Sequence, residues 1–321
     1  MRFESVDRLP CVEWAPWWDQ TIARWKREGL PQDLEGVTEI QEYFGLAPIA
    51  RVRIGPKKCS CPEPAYHGAP LATTEAEYEA LRPHLFPSPE ILDQTAIEAS
   101  VARQAKGELL IWVTLEGFFW FPRTLFGIEK HLLAFYEAPA LMKAMNEDVL
   151  DYNLRMLEAF CAMCTPDFMT FAEDMSYNHG PMIGKELFDE FMAPYYARIV
   201  PALEARKVPI VIDSDGDIAA LISWYEQVGI KGFLPLERQA GCDIAAMRER
   251  HPDVRFIGAF DKMVMHKGEG AMRAEFERLL PVMRQGGYIP SVDHQTPPGV
   301  ALDDYRLYVR LLEEYCERAA Q

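Results

Sequence analysis

The chain has 321 residues, 49% of them hydrophobic, and a formal net charge of −16. This composition supports one large core, predicted to form a single domain over residues 1–321, and the acidity argues against a nucleic-acid partner. No run of about 18 apolar residues and no apolar leader occur, and the seven cysteines are odd in number. We therefore expect a cytoplasmic protein with reduced thiols and no membrane span.

The first hundred residues predict an irregular N-terminal region with helices. A short strand is expected at residues 11–15, followed by helices at about 20–28 and 34–43 that end near glycines. Residues 47–71 contain five prolines, which favour an irregular excursion or lid over a core strand. Helices are then expected at about 74–82 and 89–105.

From Glu108 onward, short apolar runs alternate regularly with helical patterns. Strands are predicted at 109–115, 168–171, 208–212, 232–236, 254–259 and 288–292. These runs are apolar on both faces, as parallel strands covered by helices are. The pattern predicts an α/β fold, a somewhat distorted (β/α)8 TIM barrel with an N-terminal helical extension, although only seven strands are found. A doubly wound open sheet is the alternative, but it usually carries a glycine-rich phosphate loop, and none is present.

Each of these strands is followed by an acidic residue. The acids are Glu116, Glu173-Asp174, Asp213-Ser214-Asp215, Glu237, Asp261 and Asp293-His294. In a barrel the carboxyl ends of the strands converge on one mouth, where such enzymes keep their chemistry. The sequence therefore predicts an active site rich in carboxylates at that mouth.

Two of these motifs favour a metal. Alternation at a strand end puts Asp213 and Asp215 on one side, and Asp293-His294 follows the last strand. Carboxylates with an imidazole suit Zn, Mn or Fe, so Asp213, Asp215, Asp293 and His294 are the predicted ligands. Metal-free acid/base chemistry by the same groups is the alternative. Adjacent acids on a strand point to opposite faces, and we favour Asp174 over Glu173 as the one that faces the pocket.

The same residues give the chain a resemblance to the uroporphyrinogen decarboxylase family. The resemblance runs from Asp7-Arg8-Leu9-Pro10 through Glu173-Asp174-Met175 to a last third that contains Asp213-Ser214-Asp215-Gly216, Gly258-Ala259-Phe260-Asp261-Lys262 and Asp293-His294. It implies a distorted (β/α)8 barrel. The family's decarboxylases bind a tetrapyrrole through N-terminal arginines, but this chain has Glu13 among aromatic residues in that region. An acidic pocket would repel so anionic a substrate.

The chain also resembles the methyltransferases of this family, which move methyl groups to or from a corrinoid. Members that activate a thiol bind zinc through a His-x-Cys pair and a late Cys; Asp213-Ser214-Asp215 and Asp293-His294 stand near those places here. Harder ligands have replaced thiolates, so an oxygen-rich metal site is expected. The leading prediction is a methyltransferase that acts with a corrinoid protein on a small methylated substrate, with the corrinoid on that partner. A decarboxylase (a lyase) of uroporphyrinogen or a smaller acid, and a non-catalytic partner of a corrinoid protein, are the alternatives.

The predicted roles divide the site into three groups, and a homodimer is expected from the fold family. His294, Asp213 and Asp174 are predicted to be catalytic. The predicted substrate contacts are Trp14, Trp17, Glu116, Phe119, Glu173, Tyr177, Glu237 and Asp261. Glu237 and Asp261 could instead belong to an ion-pair network, and the aromatic residues around Phe119 could be plain core.

Overall fold

A computed structural model describes residue 3 and residues 6–320. Its strands, numbered in chain order, are β1 (Ile49–Ile54), β2 (Leu110–Glu116), β3 (Phe168–Ala172), β4 (Ser176–Tyr177), β5 (Gly180–Pro181), β6 (Ile210–Asp213), β7 (Gly232–Leu234), β8 (Arg255–Phe260) and β9 (Tyr288–Val292). Seven of them form one parallel sheet in the order β1-β2-β3-β6-β7-β8-β9, and β4 and β5 form an antiparallel hairpin. The sheet is curled and surrounded by helices, which confirms the predicted distorted TIM-barrel fold.

Two helices precede the first strand in the chain, and the others surround the sheet. They are α1 (Asp19–Glu28), α2 (Val37–Tyr43), α3 (Glu75–Leu81), α4 (Gln94–Gln104), α5 (Trp120–Phe126), α6 (Ile128–Glu137), α7 (Pro139–Met163), α8 (Lys185–Phe191), α9 (Ala193–Glu204), α10 (Ala219–Glu226), α11 (Ile244–Arg250), α12 (Glu269–Met283) and α13 (Leu302–Ala320). The helices α1 and α2 precede the first strand and form the predicted N-terminal extension. None of the described helices is long and apolar enough to span a membrane.

The first strand of the sheet corrects the prediction for residues 47–71. Ile49–Ile54 is a regular strand that pairs with β2, whereas an irregular excursion was expected there. Prolines 48 and 56 flank the strand without interrupting it, because a proline outside the ladder removes no hydrogen bond from it. The density of prolines along the whole segment concealed this strand.

The predicted strand at residues 11–15 is also corrected. This segment has no ladder partner and runs as an extended coil beside the two edges of the sheet, β9 and β1. Side chains take the place of a ladder: Ser291 Oγ accepts from the Trp14 N–H (3.2 Å), and Gln41 donates to the Glu13 carbonyl (3.0 Å). Arg51 donates to the Trp14 carbonyl. The segment therefore occupies the eighth position of the barrel without being a strand.

A buried carboxylate fixes this segment to the barrel. The side chain of Glu13 is fully buried, and it accepts hydrogen bonds from Ser291 Oγ and from the hydroxyl groups of Tyr305 (3.4 Å) and Tyr308 (3.3 Å). Burial raises the pKa of Glu13 to about 7, although these donors oppose the rise. A buried acid is costly unless it is hydrogen-bonded, so this network specifies where the segment lies.

The parallel register determines where the site lies. Because every strand of the main sheet runs in one direction, the carboxyl ends of β2, β3, β6, β7, β8 and β9 lie at one edge. Every residue of β7 and β9 is buried, as in strands covered on both faces. The acidic residues that follow these strands are thereby brought to one mouth.

Candidate active site

Three side chains that could bind a metal ion meet at the mouth. Asp215 follows β6, Glu237 follows β7 and His294 follows β9. One potential ligand atom from each lies within 4.8 Å of the others, and His294 Nε2 is 3.6 Å from Asp215 Oδ2. All three are only partly buried, so the cluster is accessible from solvent. Two carboxylates and one imidazole form a donor set suited to Mn, Fe or Zn.

The loop after β6 holds this cluster in place. Gly216 adopts a φ of +82°, and its N–H donates to Glu237 Oε2 at 2.9 Å. A Cβ on Gly216 would lie 2.7 Å from the backbone of Tyr177, because the β4–β5 hairpin packs against the loop. Asp217 Oδ1 accepts the Ala219 N–H (3.0 Å) at the start of α10. Backbone contacts thus orient Glu237 relative to Asp215.

Two further carboxyl groups border the cluster. Asp213 is the last residue of β6, and its backbone carbonyl accepts from the Asp174 N–H at 3.1 Å. Burial, with the charges of Asp215 and Asp174, raises the pKa of Asp213 to about 7. Burial and then the Asp215 charge also raise the pKa of Asp174. The Asp215 carboxylate, 3.6 Å from His294 Nε2, raises the pKa of His294. The surroundings of the mouth therefore favour the protonated forms of Asp213 and Asp174 and the charged form of the His294 imidazole.

Asp293 is separated from the cluster by its own partners. Its side chain is fully buried and accepts the N–H groups of Arg238 (3.0 Å) and Lys262 (3.2 Å). The Lys262 ammonium lies 3.2 Å from Asp293 Oδ1. Burial raises the pKa of Asp293, and Lys262 opposes the rise. Asp293 was predicted to be a metal ligand, but it is not among the three clustered ligands, and it anchors the loops next to His294.

Three arginines near the mouth were not among the site residues predicted from the sequence. Arg51 lies against the Trp112 ring at 4.7 Å, and burial lowers its pKa to about 10. Arg53 donates to Glu116 Oε1 at 2.8 Å. Arg123 donates to the Asp174 carbonyl at 3.1 Å. The first two lie on β1, and the signal for them was the alternation of arginines with apolar residues in Ile49–Ile54.

Glu173 is turned away from the clustered carboxylates and toward α5. Its buried carboxylate accepts the N–H groups of Phe118, Phe119 and Trp120 at 2.7–3.0 Å, and the Tyr196 hydroxyl as well. Negative charge at a helix N-terminus is stabilised by the unpaired N–H groups and the helix dipole. Glu173 therefore secures the connection between β2 and α5.

The other predicted substrate contacts lie in different surroundings. Phe119 is buried against His131, and Trp17 is buried against Trp25 in an aromatic cluster. Tyr177 is half exposed on the β4–β5 hairpin. Trp14 lines a cavity formed by the amino-terminal ends of several strands, opposite the mouth. Asp261 accepts from Gln239 (2.6 Å) and from the Met263 N–H (2.8 Å). The structure brings together Asp174, Asp213, Asp215, Glu237 and His294.

Comparison with known proteins agrees with this architecture. The chain is similar in structure to a methyltransferase from Methanosarcina mazei, with a TM-score of 0.65 and 14% identity over 97% of this chain and 95% of that one. A protein described as a vitamin-B12-independent methionine synthase from Listeria monocytogenes has a TM-score of 0.44 and 11% identity, over 99% of this chain and 96% of that one. A search of curated proteins found no match. A family model for uroporphyrinogen decarboxylase (URO-D) matches residues 63–315. As the residues of the mouth predicted, the chain belongs to the uroporphyrinogen decarboxylase family.

Proposed function

We propose that this protein is a methyltransferase that acts with a corrinoid protein on a small methylated substrate. In this proposal Asp215, Glu237 and His294 bind a divalent metal at the mouth of the barrel. The observation that carries it is the approach of three ligand atoms to within 4.8 Å of one another. The structural likeness to a methyltransferase, which concerns the fold, is compatible with it.

The residues present fit a metal of intermediate or hard character. Three protein ligands leave coordination positions for water or substrate, as catalytic sites require. The set contains no thiolate, and the nearest described cysteine, Cys242, is buried against the Gly216 carbonyl. A metal bound here would act as a Lewis acid on the oxygen or nitrogen that carries the methyl group.

The neighbouring acids would supply protons to the same reaction. Methyl transfer from an ether or amine leaves a basic atom, which must be protonated or otherwise stabilised as it departs. His294 cannot bind a metal and donate a proton through one nitrogen, so that role falls to Asp213 or Asp174. In the metal-free protein, burial raises the pKa of both, and that of Asp213 to about 7, which favours their protonated forms.

Decarboxylation of a small acid is the second candidate function. Arg51, Arg53 and Arg123 place three cations near the mouth, which the sequence alone did not predict. A guanidinium group recognises a carboxylate through two parallel hydrogen bonds. These arginines reduce the electrostatic repulsion that argued against a carboxylate substrate.

A methyl-transfer assay distinguishes the two functions. Reduced free cobalamin would be incubated with the metal-loaded protein and 2-methoxyphenol, trimethylamine or methanol, and methylcobalamin would be followed by its absorbance. We expect methylcobalamin from one donor class, lost in Glu237→Gln and retained in Asp303→Asn, a control at an exposed carboxylate of α13. Carbon dioxide release from small carboxylic acids without methylcobalamin formation would contradict the proposal and favour the second candidate.

A further inference from the structure

A second cavity lies at the opposite end of the barrel from the mouth. It has a volume of about 490 Å³ and lies at the amino-terminal ends of the strands, beside Leu110, Phe168 and Ile289. Ile257 and Val12 also form its apolar wall. We call it the basal cavity. A volume of this size is within the range of small-molecule sites, which are mostly apolar with a few polar groups at one side.

The polar side of the basal cavity is positively charged. Arg206 and Lys207 line it, and neither forms an ion pair with a carboxylate of the described residues. Within the part of the chain that the structure describes, the Arg206 guanidinium donates only to the Ala202 carbonyl, at 2.7 Å. The single acid in the lining is Asp167, whose Oδ2 accepts from Gln104 and from a backbone N–H, both at 2.8 Å. The lining of the cavity therefore carries a net positive charge, although the chain as a whole has a net charge of −16.

The cationic side extends beyond the cavity. Lys207 and Pro209 also line a neighbouring surface depression of about 450 Å³, together with Lys231 and Glu204. Lys231 has a distant partner, Asp253, at 3.8 Å. Because cations outnumber acids in both linings, a net positive charge lies beside the low-dielectric wall, and such a charge raises the local concentration of anionic ligands.

We propose that the basal cavity binds a small apolar molecule with one negative charge, a medium-chain or aromatic carboxylate. The apolar body would lie among Val12, Phe168 and Ile289, and the carboxylate would face Arg206 and Lys207. Water in such a cavity finds few hydrogen-bond partners, so an apolar group that displaces it gains affinity. The acid in the lining disfavours ligands with several charges. This site is separate from the mouth and does not depend on the function proposed for it.

Trp14 provides an intrinsic reporter of occupancy. Its ring lines the basal cavity, and its Nε1 donates to the Val292 carbonyl at 2.6 Å. A bound ligand would contact the indole and alter its fluorescence. Trp14→Phe should abolish most of that change while leaving the affinity within about threefold.

Titration of the full-length protein with 8-anilinonaphthalene-1-sulfonate, an aromatic anion, tests the proposal. We expect one dye per chain, energy transfer from Trp14, and displacement by octanoate but not by octanol at the same concentration. From butanoate to octanoate the affinity should rise about three- to fourfold per methylene group. The double variant Arg206→Gln/Lys207→Asn should weaken octanoate binding at least tenfold; asparagine suits the φ of 56° at position 207. The matched control is Arg284→Gln, at an exposed cation elsewhere.

Three results would overturn the proposal. The first is the absence of saturable dye binding. The second is an octanoate affinity that is unchanged in the double variant. The third is displacement by octanoate and octanol alike, which would mean that the charge at the cavity has no role. Melting temperatures of the variants equal to that of the wild type would show that loss of binding does not come from unfolding.

Discussion

Replacement of Glu173 by glutamine should destabilise the protein strongly. Glu173 Oε1 accepts from Phe118 and Tyr196, and Oε2 accepts from Phe119 and Trp120. A glutamine amide retains one acceptor oxygen and replaces the other with an NH₂ group. With the NH₂ group toward Phe119 and Trp120, two N–H donors face a donor; with it toward Phe118 and Tyr196, only the Phe118 N–H does, because the Tyr196 hydroxyl can accept from the amide. At about 1–3 kcal/mol for each donor left unpaired, the less costly orientation gives an expected loss of about 1–3 kcal/mol.

Urea unfolding followed by circular dichroism, at pH 8, would measure this loss. That pH keeps the wild-type carboxylate ionised, because burial raises its pKa to about 7. The matched control is Glu158→Gln on the exposed face of α7, which should change the free energy of unfolding by less than about 0.5 kcal/mol. A loss below about 1 kcal/mol in Glu173→Gln would contradict this prediction, because it would mean that the four buried donors do not depend on the carboxylate.

Three other predictions follow from buried groups. Burial raises the pKa of Glu13 to about 7, above its unfolded value, so ionisation disfavours the folded state. Stability should fall as pH rises from about 4.5 to 7, and Glu13→Gln should reduce this change in the free energy of unfolding by up to about 3 kcal/mol in urea unfolding at several pH values; an unchanged slope would contradict it. Gly258→Ala should lower the free energy of unfolding in urea by about 3 kcal/mol or more, because φ is +109° and the new Cβ would overlap a backbone carbonyl oxygen. The control Gly45→Ala, where the Cβ would enter open space, should lower it by about 1 kcal/mol. Equal losses in the two variants would contradict this prediction. Asp293→Asn should cost up to about 3–5 kcal/mol by removing the negative charge that faces the Lys262 ammonium, which then keeps only neutral acceptors such as Gln239 Oε1, and Lys262→Met should recover at least about 1 kcal/mol of that loss in a double-mutant cycle; additive losses would contradict it.

The sequence predicted which strands are followed by acidic residues, but not the partner of each carboxylate. Acidic residues follow strands β2, β3, β6, β7, β8 and β9 as expected, since strand ends can be read from apolar runs. The partner of each carboxylate depends on distant segments. Glu173 meets the start of α5, and Asp293 meets Lys262. Glu237, for which a substrate contact or an ion-pair network was predicted, lies with Asp215 and His294 in the cluster that could hold a metal.

The fold was predicted with one strand misplaced. Residues 11–15 have the apolar character of a strand, but their backbone groups are bonded to side chains such as Gln41 and Ser291. Ile49–Ile54 was hidden by nearby prolines, and the arginines on it were missed with it. Both errors come from tertiary contacts, which local propensity does not encode.

The metal affinity of single variants tests whether Asp215, Glu237 and His294 form a metal site. Purified protein, stripped with a chelator, would be titrated with Mn²⁺ while the free ion is measured by electron paramagnetic resonance. We expect one Mn²⁺ per chain, a loss of affinity of more than about 100-fold in Glu237→Gln, and a change of less than about tenfold in Asp213→Asn, which removes a neighbouring acid outside the cluster. No binding by the wild type, or a large loss in Asp213→Asn with none in Glu237→Gln, would contradict this expectation.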